Sequence, residues 1–295
     1  LIISGFYAQL ENLYNVFKGV TIMEYAVKLN NTVTGFSVDN KFIDCICGTK
    51  VIKADKSTGN ILLETQLFKK EGLSRNLISD NKQLIIKDFC MLYILNKSDY
   101  SVIQSLKLGD DLSSDICGLT SDENYIYAAI RNGKITVIDK KSFNTKIYEI
   151  SENSIWDMKN YKDYLICGTV GGKLLIIDKN EMKIKDMMDI GKQNIASIAI
   201  NDNIVYTAGQ DKKLYEIDLL ESKIILRKRN VHKKMFDCIG IYRDSVLTVS
   251  HPCNEISFWD KNTLNLIRTI KMPLSLCGRT FIENDLLYIT SRNIQ

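Results

Sequence analysis

The chain has 295 residues, 45% hydrophobic and 25% charged, with 39 Lys and Arg against 35 Asp and Glu. This composition excludes a disordered, collagenous or coiled-coil chain, and a formal charge of +4 is too small to imply nucleic acid by itself. No apolar run reaches the ~18 residues of a membrane-spanning helix, and two histidines, His232 and His251, are poor provision for an imidazole metal site.

The first stretch, LIISGFYAQ, reads as a β-strand or as the tail of a secretory signal. Residues 1–8 have no assigned place in the reading that follows. Residues 12–17 and 21–29 have strand patterning. From Asn40 onward a turn residue precedes an apolar, β-branched run seven times, at Asn40, Asn81, Asn124, Asp163, Asn203, Asp244 and Asp285. The spacings are 41, 43, 39, 40, 41 and 41 residues. Asn and Asp tolerate the left-handed backbone and form side-chain turns, which tight hairpins need. A second marker runs in step: a second apolar strand ends at Asp55, Asn96, Asp139, Asp178, Asp218 and Asp260. One such acid per unit, on its outer half, reads as a turn acceptor and not as a carboxylate constellation.

Each unit is therefore strand, Asx turn, strand, Gly or polar turn, strand, Asp-led turn, strand. Four antiparallel strands in about 40–45 residues describe a propeller blade. The expected architecture is all-β: a single seven-bladed propeller over 1–295, with blades at about 32–70, 74–110, 115–151, 154–191, 194–231, 235–273, and 275–295 plus 10–30. The last blade is expected to be closed by N-terminal strands, which would remove two open sheet edges.

The segments AGQDKKLYEID (208–218), CGTVGGKLLIID (167–178) and VSHPCNEISFWD (249–260) resemble the second and third strands of WD-repeat blades. Only Trp259-Asp260 keeps the dipeptide and no Gly-His pair opens a blade, so the Asp–His–Ser–Trp network of that family is not expected. The unit ADKSTG (54–59) is similar to quinoprotein-type propeller repeats.

One column of the inner strands, Gly35, Asn76, Gly118, Asp157, Ser197, Cys238 and Gly278, is small throughout, as convergence on a central channel requires. The preceding column, Thr34, Arg75, Cys117, Trp156, Ala196, Asp237 and Cys277, is heterogeneous. An Arg/Trp cluster on a rigid rim suits a protein-binding hot spot, so Arg75, Arg131, Trp156, Asp237 and His251 are the candidate partner-binding residues. A basic run, Arg227, Lys228, Arg229, Lys233 and Lys234, is expected as a loop between an outer strand and the next inner strand. It suits an acidic protein surface or a phosphate backbone, but lacks interleaved aromatics for base stacking.

No GxSxG elbow, HExxH or P-loop occurs, and Gly171-Gly172 joins two strands instead of opening a helix. No catalytic residue, cofactor or metal is assigned. The expected function is a non-enzymatic scaffold, a subunit or adaptor of a larger assembly, binding another protein through its loop face. Nucleic acid is the less favoured partner. The alternative is a quinoprotein- or lyase-like propeller with a small-molecule site over the channel. Eight cysteines inside apolar runs read as reduced, packed thiols of a cytoplasmic protein. Export after removal of a signal is the alternative.

Overall fold

The computed structural model describes residues 2–4, 29, 31, 33–72, 76–228, 231–236, 238–250, 253–271, 275–283 and 286–292. After Ile2–Ser4 (β1), the first blade comprises Val33–Val38 (β2), Phe42–Cys47 (β3), Lys50–Asp55 (β4) and Ile61–Gln66 (β5). The second comprises Asn76–Ser79 (β6), Gln83–Asp88 (β7), Met91–Asn96 (β8) and Val102–Lys107 (β9). A 3-10 turn at Leu112–Ser114 leads to the third: Ile116–Ser121 (β10), Tyr125–Ile130 (β11), Lys134–Asp139 (β12) and Thr145–Glu149 (β13). The fourth is Ile155–Tyr161 (β14), Tyr164–Thr169 (β15), Lys173–Asp178 (β16) and Lys183–Asp189 (β17). The fifth is Ile195–Asn201 (β18), Ile204–Gly209 (β19), Leu214–Asp218 (β20) and Lys223–Lys228 (β21). The sixth is Cys238–Tyr242 (β22), Ser245–Ser250 (β23), Glu255–Asp260 (β24) and Leu266–Lys271 (β25), followed by Ser275–Glu283 (β26) and Leu286–Arg292 (β27).

Each blade is a four-stranded antiparallel sheet in chain order, and the first strands of successive blades pack side by side around the ring. The expected count of seven four-stranded blades is corrected: the described residues form six. A three-stranded sheet, β1-β27-β26, occupies the interval between the sixth blade and the first. In it β1 pairs with β27 in parallel, Ile2 opposite Ile289 and Ser4 opposite Ser291. The N-terminal piece left without a place by sequence reading is thus the strand that joins the two ends of the chain. The strands expected at 12–17 and 21–29 lie, apart from Leu29, outside the described residues.

Burial explains the patterns. The middle strands of each blade are covered on both faces by neighbouring blades, so β3, β15 and β23 are buried along nearly their whole length. The outer strands show one face to solvent and alternate, as in β5 and β9. The hydrophobic effect acts between blades. Tyr127, Ala129 and Ile135 of the third pack with Ile155, Met158, Leu165 and Cys167 of the fourth. Ile46 and Val51 of the first meet Leu77, Leu84 and Ile86 of the second.

The small column has a local cause. A Cβ on Gly35 would lie 2.8 Å from the Asn76 Cα and 3.0 Å from the Leu77 nitrogen of the next blade, and one on Gly118 would lie 3.3 Å from the Met158 nitrogen. Where the column is polar it bonds to the same place: the Ile198 N–H donates to Asp157 Oδ2 (2.8 Å) and the Ile239 N–H to Ser197 Oγ (3.3 Å). The column sets how closely inner strands approach.

Candidate functional site

The loops between blades and the turns between second and third strands open on one face of the ring. Four inner strands begin there with a β-bulge, the register shifting between Val33 and Gly35, Ile116 and Gly118, Ile155 and Asp157, and Ile195 and Ser197. The extra residues are Thr34, Cys117, Trp156 and Ala196, the heterogeneous column of the sequence. A bulge re-aims its side chain and loosens the demand for pairing, so these positions vary while their neighbours stay small. Trp156 is 39% exposed, a large indole left in solvent at the mouth of the ring.

Arg131 sits in the turn between β11 and β12, where its Nη2 donates to Asp115 Oδ2 at 2.8 Å and its backbone N–H to the Asp115 carbonyl. It remains 45% exposed while the Asp115 side chain is nearly buried, so the pair fixes the guanidinium without hiding it. Arg75, Asp237 and His251 lie outside the described residues.

The basic run is partly corrected. Arg227 and Lys228 belong to β21, opposite Tyr215 and Leu214, and are not loop residues. Pairing to β20 continues to the end of the run's first half because the outer strand reaches the rim. Arg229 lies outside the described residues, whereas Lys233 and Lys234 are exposed on the rim. Between them and the strand, Val231 and His232 turn inward and are buried.

His232 brings the second correction. Trp259 Nε1 donates to Thr248 Oγ1 at 2.8 Å, the Thr248 hydroxyl lies 2.8 Å from His232 Nε2, and His232 Nδ1 lies 3.5 Å from Glu255 Oε2. A hydrogen-bonded His–Thr–Trp chain with an acidic neighbour therefore forms in the sixth blade, contrary to the expectation that no such network could. The missing Gly-His pair hid it, since His232 comes into the blade from a differently built loop. Burial pushes the imidazole below its ordinary pKa, against the pull of Glu255. The corresponding positions of the first four blades, Cys45, Ile86, Ala128 and Cys167, are apolar and fully buried.

The opposite face carries a feature that sequence reading missed. Lys97 reaches Asp39 (2.9 Å) on the preceding blade and the Asp80 carbonyl (3.1 Å) on its own. Lys140 repeats this with Asp80 (2.6 Å) and the Asp122 carbonyl (2.7 Å), and Lys179 with Asp122 (3.2 Å) and Asn160 (3.0 Å). Burial opposes ionisation of Asp39, Asp80 and Asp122, but backbone N–H groups and the lysines outweigh it and hold each below the usual carboxylate range. The signal was present, a Lys following the second marker at 56, 97, 140, 179 and 261.

The seven described cysteines are free thiols, and burial pushes Cys45 and Cys167 up, away from thiolate chemistry. Among the described residues no cluster of three or more His, Cys, Asp or Glu could hold a metal, and no helix is long and apolar enough to cross a membrane.

A ring of four-stranded antiparallel blades with its loops gathered on one rim defines a β-propeller. Among solved structures the chain is similar to the computationally designed Ika8 protein, at 13% identity and a TM-score of 0.66, covering 88% of this chain and 93% of that one. In all, 1808 chains of solved structures match, a breadth that carries the fold alone. No protein-family model and no curated protein matches the sequence.

Proposed function

We propose that the chain is a non-enzymatic interaction scaffold, a cytoplasmic subunit or adaptor that binds another protein through its loop face. The observation that carries this reading is the exposed Trp156, held on a bulge of a rigid inner strand, with an Arg131 oriented by Asp115 in a turn of the same rim. Aromatic and arginine side chains on a preorganised rim are the composition of interface hot spots. In this reading Arg75, Asp237 and His251 complete the face. A WD-repeat affinity is part of the proposal, supported by the His232–Thr248–Trp259 chain of one blade.

The test is affinity capture from native cells with three baits: the parent chain, Trp156→Ala with Arg131→Ala, and Lys162→Ala on the opposite face. The reading expects proteins retained by the first and third baits to be lost from the second. Equal capture by all three overturns it.

A further inference from the structure

Three rim elements of blades four to six converge. The loop before β18 leans on the turn between β19 and β20: the Gln210 N–H donates to the Asn194 carbonyl at 3.2 Å, and a Cβ on Gly191 would meet Asp211 Oδ2 at 3.4 Å. That turn in turn holds the loop before β22, through Val231 N–H to the Lys212 carbonyl (3.1 Å) and Lys212 Nζ to the Lys233 carbonyl (3.1 Å). The result brings Lys192, Lys212, Lys213, Lys233 and Lys234 into one arc. Among the described residues of these segments the acid is Asp211, and its carboxylate is engaged by the Tyr215 hydroxyl at 2.7 Å and by Lys213 Nζ at 3.4 Å. Lys192, Lys212, Lys233 and Lys234 are exposed and form no salt bridge among the described residues.

The arc is rigid. Buried Val231, His232 and Phe236 plug the last loop into the blade, with the His232 and Phe236 rings 5.4 Å apart, and Ser250 Oγ donates to the Met235 carbonyl at 2.9 Å. Those anchors turn Lys233, Lys234 and Met235 outward, Met235 being 43% exposed. The loop before β10 instead carries Asp110, Asp111 and Asp115, with Asp115 paired to Arg131 and Asp110 to Lys107.

We infer that this arc binds an acidic protein segment bearing apolar anchors, its carboxylates on the lysines and an apolar side chain on Met235. Complementary charge steers encounter and fixes register, and a loop backbone already held in place loses little freedom on binding. An exposed methionine among the lysines, with no aromatic between them for base stacking, favours a peptide over a nucleic acid strand. The inference deepens the loop-face reading and rests on it.

Fluorescence anisotropy tests it directly, with a short fluorescein-labelled peptide of alternating acidic and Leu/Phe residues and a labelled oligothymidylate of equal charge. The peptide is expected to bind the parent chain and to lose at least about tenfold in affinity for Lys212→Glu/Lys233→Glu/Lys234→Glu. Met235→Ser should lose about threefold, and the oligothymidylate should bind more weakly than the peptide. All four substituted side chains are exposed, and circular dichroism confirms that the variants fold. No peptide binding, binding within about twofold after charge reversal, or tighter binding of the oligothymidylate overturns the inference. The capture experiment above fails or succeeds through Trp156 and Arg131, so the two failures are told apart.

Discussion

Single side chains decide local stability here through position more than through type. Thr248 is the hinge of the sixth-blade network: it accepts from Trp259 and faces His232, all three buried. Thr248→Val keeps the shape but strands two polar rings, and should cost about 1–3 kcal/mol by urea denaturation. His232 adds pH dependence. Its folded pKa lies below the ordinary value of 6.5, so above that value both folded and unfolded imidazoles are neutral. As the pH falls below 6.5, the unfolded chain binds a proton that the folded chain resists, and stability declines. His232→Gln should flatten that part of the stability–pH curve. The turns after the third strands hold left-handed residues at one repeated position, among them Ser222 (φ 48°) and Leu264 (φ 51°). Ser222→Gly relieves backbone crowding and should stabilise by about 0.5 kcal/mol. Leu264→Gly should instead destabilise by about 2–4 kcal/mol, because Leu264 is 1% exposed and packs between blades.

At the scale of the element, sequence reading succeeded where the signal is local. Asp55, Asp139, Asp178, Asp218 and Asp260 each accept two backbone N–H groups of their own turn. Ser57 and Thr58 donors hold the Asp55 carboxyl at about 2. A turn acid announces itself because its partners are two or three residues away. The bulges at Thr34, Cys117, Trp156 and Ala196 were not legible, since register is a property of two paired strands. The column they form was visible only as variability. The lysine links between blades were half legible, as a periodic Lys whose acceptor lies on the preceding blade. Lys140→Met, which removes bonds to Asp80 and Asp122, should destabilise by about 1–2 kcal/mol at neutral pH. Since Asp39, Asp80 and Asp122 have lowered folded values, their contribution is complete above the ordinary 3.8. It is lost as the pH falls through those lower values, where the gap between Lys140→Met and the parent should close.

For the whole molecule, the ring depends on how its ends meet. Sequence periodicity located the six four-stranded blades but overcounted by treating the remaining sheet as a seventh of the same kind. The hairpin of β26 and β27 has the turn marker of the others, yet its third strand is β1, parallel and supplied by the opposite end of the chain. No periodic signal marks a strand that enters the sheet from outside the repeat. Removing residues 1–8 should lower the thermal midpoint by about 2–5 °C, as scanning calorimetry would show. The rim assembled by this ring is what the proposed function requires, and residue-specific photocrosslinking tests it most directly. Benzoylphenylalanine placed at Trp156 should give a discrete crosslinked product with a second protein in native cells, while the same group at Lys162 on the opposite face should give none. Crosslinking from Lys162 alone, or equally from both positions, would contradict binding through the loop face.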